Sequence, residues 1–209
     1  MPTLQTPPGR MGRLWLMSRL ELAERGVTLL EEKLHLLAGH RDELRDRVAS
    51  TRRVWRDACR EADVWQLRAT LLGGERAITL ATPDEHASVT IEWATTSGVR
   101  YPDRIRCTLP PADDPAVVVT GSAVAGAGRT HRAALQAAAE HAVTAAALAT
   151  VEREYQATQL RARALSKHWL PRLHDELARI NLELEEQDRA ESSRLRLVEL
   201  GYGKSAPGS

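Results

Sequence analysis

Few residues in this sequence are of a type and spacing that could do chemistry. Gly121, Gly126 and Gly128, followed by Arg129 and Thr130, have the look of a phosphate-binding loop opening a helix. In such a loop the backbone amides cradle phosphates and a following Lys-Ser/Thr engages the terminal phosphate and its metal. Here Ala127-Gly128 stands in place of that pair, the charge is missing, and the segment reads as a flexible hinge. The seven histidines are scattered. His168 and His174, six apart on a helix, do not bring two rings to one face for a metal. Cys59 and Cys107 stand alone without CxxC spacing, so neither a disulfide framework nor a zinc site is indicated. Glu31, Glu32, Glu183, Glu185 and Glu186 lie in helical stretches rich in Arg, where a solvated ion-pair face is the natural reading. Lys plus Arg number 29 against 28 for Asp plus Glu. That balance exerts no general pull on nucleic acid or anionic lipid. The sequence predicts no catalytic residue, no cofactor and no metal.

The elements that carry these residues are long helices. From Leu16, in alternating steps of four and three, run Leu16, Leu20, Ala23, Val27, Leu30, Leu34, Leu37, Arg41, Leu44, Val48, Thr51, Trp55, Ala58, Ala62 and Trp65. Only Arg41 and Thr51 break the apolar seam. A heptad pattern of that length predicts a helix paired along its whole length with another. From Met11 to Leu72 it would be roughly 90 Å long. A second stripe, Trp15, Leu22, Leu29 and Leu36, recurs every seventh residue well away from the seam. Four apolar side chains in strict register on the outer face of a helix pair predict enclosure by another protein.

The chain divides into four parts. Residues 1–72 form the first helix, started near Pro7 and stopped at Gly73-Gly74. Residues 73–129 form a small β-containing cap and Gly-rich hinge. In it Val89, Ile91 and Trp93 alternate, as do Ile105, Cys107 and Leu109, with a turn from Thr95 to Pro102 and a further short apolar run, Val117 to Val119. Residues 130–200 form the second helix, and residues 201–209 a disordered tail. The second helix carries one seam through Leu148, Val151, Tyr155, Thr158, Ala162, Leu165 and Trp169, and another through Leu173, Leu177, Ile180 and Leu184. A four-residue step at Pro171 separates them, and Pro171 should kink the helix there. The fold expected is mainly α: an antiparallel two-helix coiled-coil hairpin, with the β insert at the end away from the termini. Charges interrupt every apolar run that could lead or cross a membrane, such as Glu140 in 133–151, so a soluble cytoplasmic chain is expected.

Particular residues also resemble a family. Met11 through Lys33, with Leu22-Ala23, Gly26-Val27 and Leu29-Leu30, is similar to the N-terminal signature of the D subunit of V/A-type ATPases. So are Arg161 to Leu165 followed by Leu170-Pro171, and Leu184 to Arg189; Gly98-Val99, Pro102 and Ile105 resemble the family's short β segment. The resemblance implies a non-catalytic rotor axle in a central stalk, passing torque between ATP chemistry in a head and proton or sodium movement in a membrane ring. It implies that the end with both termini sits within the ring of catalytic A and non-catalytic B subunits. Trp15, Leu22, Leu29 and Leu36 would be the bearing there. The other end would meet the F subunit and the funnel-shaped subunit on the membrane ring, in a peripheral complex at the cytoplasmic face, with no nucleic acid bound and no direct membrane insertion. A generic antiparallel coiled-coil scaffold or tether is the alternative from another class.

Overall fold

The computed structural model describes residues 6–83, 85–110 and 121–203. The expected Val117–Val119 run, the loop through Pro111 and Pro115, and tail residues 204–209 lie outside the described residues. Helix α1 spans Gly9–Ala81, strands β1 and β2 span Ser88–Thr96 and Val99–Thr108, and helix α2 spans Ser122–Ala164. A π-turn, Leu165–Trp169, joins α2 to helix α3, Leu170–Gly203. Among the described residues the fold is therefore mainly α with one two-stranded antiparallel sheet. It divides into two compact units, one made of α1 up to Glu32 with the chain from Thr158 onward, the other running from Lys33 to Ala157.

In the first unit Leu16, Leu173 and Ile180 are buried, and Leu20, Ala23, Leu177 and Leu184 pack around them. A Cβ on Gly12 would stand 3.3 Å from Ile180, and one on Gly26 would stand 3.3 Å from Leu165. These two approaches fix the direction of the pair: as α1 ascends, the partner helix descends. Pro171 lies just past the π-turn. Proline has no N–H and its ring crowds the carbonyl four residues back. The turn before it is widened, with the Leu170 N–H donating to the Leu165 carbonyl five residues back. The four-residue steps that the sequence shows around Pro171 coincide with this widened turn.

In the second unit the same antiparallel pairing runs through Leu37 and Leu44 of α1 against Ala147 and Val151 of α2. It continues to Ala69 against Val124 and Ala127. The two residues that break the α1 seam each find a polar or aromatic neighbour on α2. The Arg41 guanidinium lies 4.6 Å from the Tyr155 ring centre, and Thr51 Oγ1 is 3.2 Å from His141 Nδ1.

The helix breaks at Gly74, where φ is +76°, a value glycine reaches without strain. A helical segment, 75–81, then packs Ala77, Ile78 and Ala81 beside Ala69, in a stretch that the sequence pattern assigns to the β insert. The strands join through Ser97 and Gly98, both at positive φ, a two-residue turn far tighter than the expected Thr95–Pro102. Pro102 lies inside β2, next to a bulge at Asp103 that has no counterpart on β1. The bulge brings Asp103 to Arg47 of α1, 3.3 Å away. Val99 and Tyr101 are buried against Leu37 and Leu44, so the sheet is docked on the side of the helix pair. Leu37 lies roughly 48 Å and Leu44 roughly 38 Å along α1 from Ala69 at the helical rise per residue.

The Gly-rich segment is not a hinge. Helix α2 begins at Ser122, and a Cβ on Gly126 would stand 2.5 Å from Cε3 of Trp65. A Cβ on Gly128 would meet nothing within 4 Å. Gly126→Ala should therefore destabilise the protein by about 1–3 kcal/mol through overpacking. Gly128→Ala should stabilise it by about 0.5–1 kcal/mol through the lost freedom of the unfolded chain. Thermal melts followed by circular dichroism read both signs.

Tyr101 generates a second prediction. Burial, then the carboxylates of Asp103 and Glu43, push its phenol above the ordinary 10, against the opposing pull of Arg47. A raised phenol favours the folded state below pH 10, and that contribution is lost as pH climbs through the folded value. Absorbance titration at 295 nm should show a late-ionising component that Tyr101→Phe removes. The variant should also lose less thermal stability than the parent above pH 10.

Candidate functional site

The residue types that could have built an active site are dispersed. The backbone from Ser122 onward is helical, and Thr130 Oγ1 donates to the carbonyls of Gly126 and Ala127 at 3.1 and 3.0 Å. A helical Gly126 commits its amide to the helix ladder and leaves no open cradle of N–H groups there. Among the described residues no three His, Cys, Asp or Glu side chains cluster as metal ligands would. His168 is exposed in the π-turn, and exposed His174 lies 3.9 Å from Glu24. Cys59 and Cys107 are both free thiols. Of the noted carboxylates, Glu183 pairs with Arg179 and Glu185 with Arg189, four residues away in each case. Arg179 also donates to Glu176 and, with a smaller contribution from Thr6, holds that carboxyl below its usual range. The Glu183 and Glu185 pairs lie exposed on the helix surface, where solvent and salt screen them.

What the structure does present is a contrast between a closed seam and an open stripe. Leu37, Leu44, Leu173 and Ile180 are buried, and Leu20, Val27, Leu30, Leu34, Val48, Trp55, Leu177 and Leu184 are half-buried. In the first unit Leu22 and Leu29 are 62% and 65% exposed. In the second unit Leu36 is 62% exposed beside the fully buried Leu37. Trp15, the first residue of that stripe, differs: it is half-buried against the Leu16 cluster, with the Arg19 guanidinium 5.1 Å from its ring centre.

Beside Trp15 the first unit holds an apolar groove of about 490 Å³, lined by Trp15, Arg19, Leu22, Ala23, Leu165, Trp169 and Leu173. The heptad reading places Trp169 in the seam, but it is 46% exposed. A π-turn inserts an extra residue and rotates the helix beyond it by about 100°. Leu165 and Trp169, four apart just before a proline, are the only signal of it in the sequence.

Comparison with known proteins decides what kind of subunit carries this surface. The sequence matches the family described as the ATP synthase D subunit over residues 14–199. The chain belongs to the ATP synthase D-subunit family. The V-type ATP synthase D subunit of Anaeromyxobacter dehalogenans strain 2CP-C is 33% identical over 194 residues, 90% of this chain and 92% of that protein. The V-type ATP synthase D subunit of Anaeromyxobacter sp. strain Fw109-5 is 34% identical over 201 residues, 92% of each. The D subunit of an ATP synthase is a stalk component and not a catalytic one. As a member of the family the chain belongs to a membrane-associated ATPase complex. No helix among its described residues is long and apolar enough to cross a membrane.

The neighbouring residues Leu36 and Leu37 test the contrast between stripe and seam. Leu37→Ala should cost about 2–5 kcal/mol, because it empties a fully buried site. Leu36→Ala should cost the isolated chain well under about 1 kcal/mol, as exposed substitutions do. Urea unfolding of the two variants measures the difference, and equal losses would mean that Leu36 packs within the chain.

Proposed function

We propose that this chain is the central-stalk rotor component of a V/A-type rotary ATPase. In this reading it transmits torque between ATP hydrolysis or synthesis in a head of catalytic A and non-catalytic B subunits and proton or sodium translocation in a membrane ring. The F subunit and the funnel-shaped subunit on the ring are its other partners, at the cytoplasmic face of the cell membrane. The observation that carries the proposal is the exposure of Leu22 and Leu29 on a helix whose opposite face is closed. Family membership along nearly the whole chain supports it and favours it over a generic tether.

The division of roles is physical. The seam residues Leu20, Val27, Leu30, Leu34, Leu37, Leu44, Val48, Trp55, Leu173, Leu177, Ile180 and Leu184 hold the helices as a shaft, and Pro171 sets its kink. Trp15, Leu22, Leu29 and Leu36 are the bearing in the catalytic ring. A surface that turns against its housing is best apolar and weakly directional, because hydrogen bonds and ion pairs would hold one angle. ATP chemistry belongs to the head subunits, and the chain needs no cofactor of its own.

The test is capture of reconstituted A and B subunits by the Leu22→Ser, Leu29→Ser double variant. Burying a large apolar side chain contributes roughly 1.5–3 kcal/mol, so capture should weaken at least about tenfold. Helical circular dichroism and binding of the F subunit should be unchanged. Undiminished capture of the ring by a folded variant would show that the stripe is not the bearing.

A further inference from the structure

Polar contacts cross from α1 to α2 in the second unit, some half-buried and some at the rim. Lys33 Nζ is 2.8 Å from Glu154 Oε1, with both side chains less than a third exposed. Arg41, with an 18% exposed side chain, lies over Tyr155. Thr51 meets His141, whose ring is stacked on Trp55 at 5.2 Å and 20°. Arg45 reaches Glu152 at 2.7 Å near the rim. We propose that these cross-helix contacts are a register lock, which selects one axial alignment of α1 against α2 out of several that the apolar seam would accept.

The seam is permissive because it repeats. Leu37 and Leu44 are seven apart, as are Leu30 and Leu37, and the buried side of α2 is mostly small: Ala134, Ala137, Thr144 and Ala147, with Val143 and Val151 among them. Sliding α2 by one heptad keeps small or apolar residues facing each other along most of the seam. The polar residues do not survive the slide. In one direction Lys33 comes opposite Ala147, Arg41 opposite Leu148, Thr51 opposite Ala134, and His141 opposite Leu44. In the other, Thr51 comes opposite Leu148, His141 opposite Ala58, and Tyr155 opposite Val48. Each alignment strands a charge or a hydrogen-bonding group against hydrocarbon, which is costly. This is how an isolated polar residue in a heptad seam specifies register, at some expense of stability. It also explains why Arg41 and Thr51 interrupt an otherwise apolar seam.

Pulsed electron–electron double resonance on the full chain measures the alignment. Spin labels go on exposed Glu61 and Arg153 after their conversion to Cys, with Cys59 and Cys107 replaced by Ala. The parent should give one narrow distance. The triple variant Arg41→Leu, Thr51→Val, His141→Leu should keep its helical content and melt no earlier. It should show an additional distance displaced by about 10 Å, the rise of seven helical residues. The double variant Thr51→Val, His141→Leu should show the same displaced distance at lower population. A single parental distance in the folded triple variant would overturn the proposal, because the apolar seam and the fit of Trp65 on Gly126 would then suffice. Loss of helical content in both variants would overturn it equally, because the contacts would then supply stability and not choice.

Discussion

A pair of helices has no interior, only a seam. Every side chain in it lies one layer from solvent, and the residues that can be fully buried fall on a line, as Leu37, Leu44 and Val151 do in the second unit. This constraint shapes the rest of the structure. Because such a core is a line, its length is the main way to add burial, and the second unit carries it from Leu37 and Leu44 on to Ala69. Because the line is thin, polar residues can enter it with their charged ends near water, as the partly exposed Lys33 and Glu154 do. Because the outer faces have nothing above them, large apolar residues there stay wet until a partner arrives.

How far the sequence is legible depends on the same geometry. A seam of leucines and valines at heptad spacing is the strongest pattern a chain can carry, and in α1 every seam residue from Leu16 to Trp65 is buried or half-buried. In α2 the pattern fails between Ser122 and Ala147, where Ala123, Ala127, Ala134, Ala137 and Ala147 are buried. Alanine faces both seam and solvent there, so its spacing carries no contrast. Close packing is what buries it, and the clash that a Cβ at Gly126 would make shows how near the helices lie. The glycines suggest a hinge because their small size permits mobility. At Gly126 it permits approach instead.

The open stripe is legible in the sequence as a spacing, and the groove beside it is not. Leu22, Leu29 and Leu36 stand on an uninterrupted helix, so their phase can be counted. Trp169 stands on a π-turn, and counting fails across an extra residue. The placement of the sheet is hidden for a different reason. Its docking rests on Val99, Tyr101 and the bulged Asp103, which meet α1 residues more than fifty positions away. No local pattern encodes such a distance.

The side-docked sheet has a consequence for the order in which the protein is made. Lys33 and Glu154 are separated by 121 residues, so that contact waits until most of the chain has been synthesised, whereas Ala69 can meet Val124 and Ala127 earlier. Until then Leu37 and Leu44 of α1 lack their α2 partners, Ala147 and Val151. Tyr101 precedes Val151 by fifty positions, an interval of roughly 3–10 s at ordinary rates of translation. During that interval the β-hairpin, closed by its own two-residue turn, is already available to cover Leu37 and Leu44.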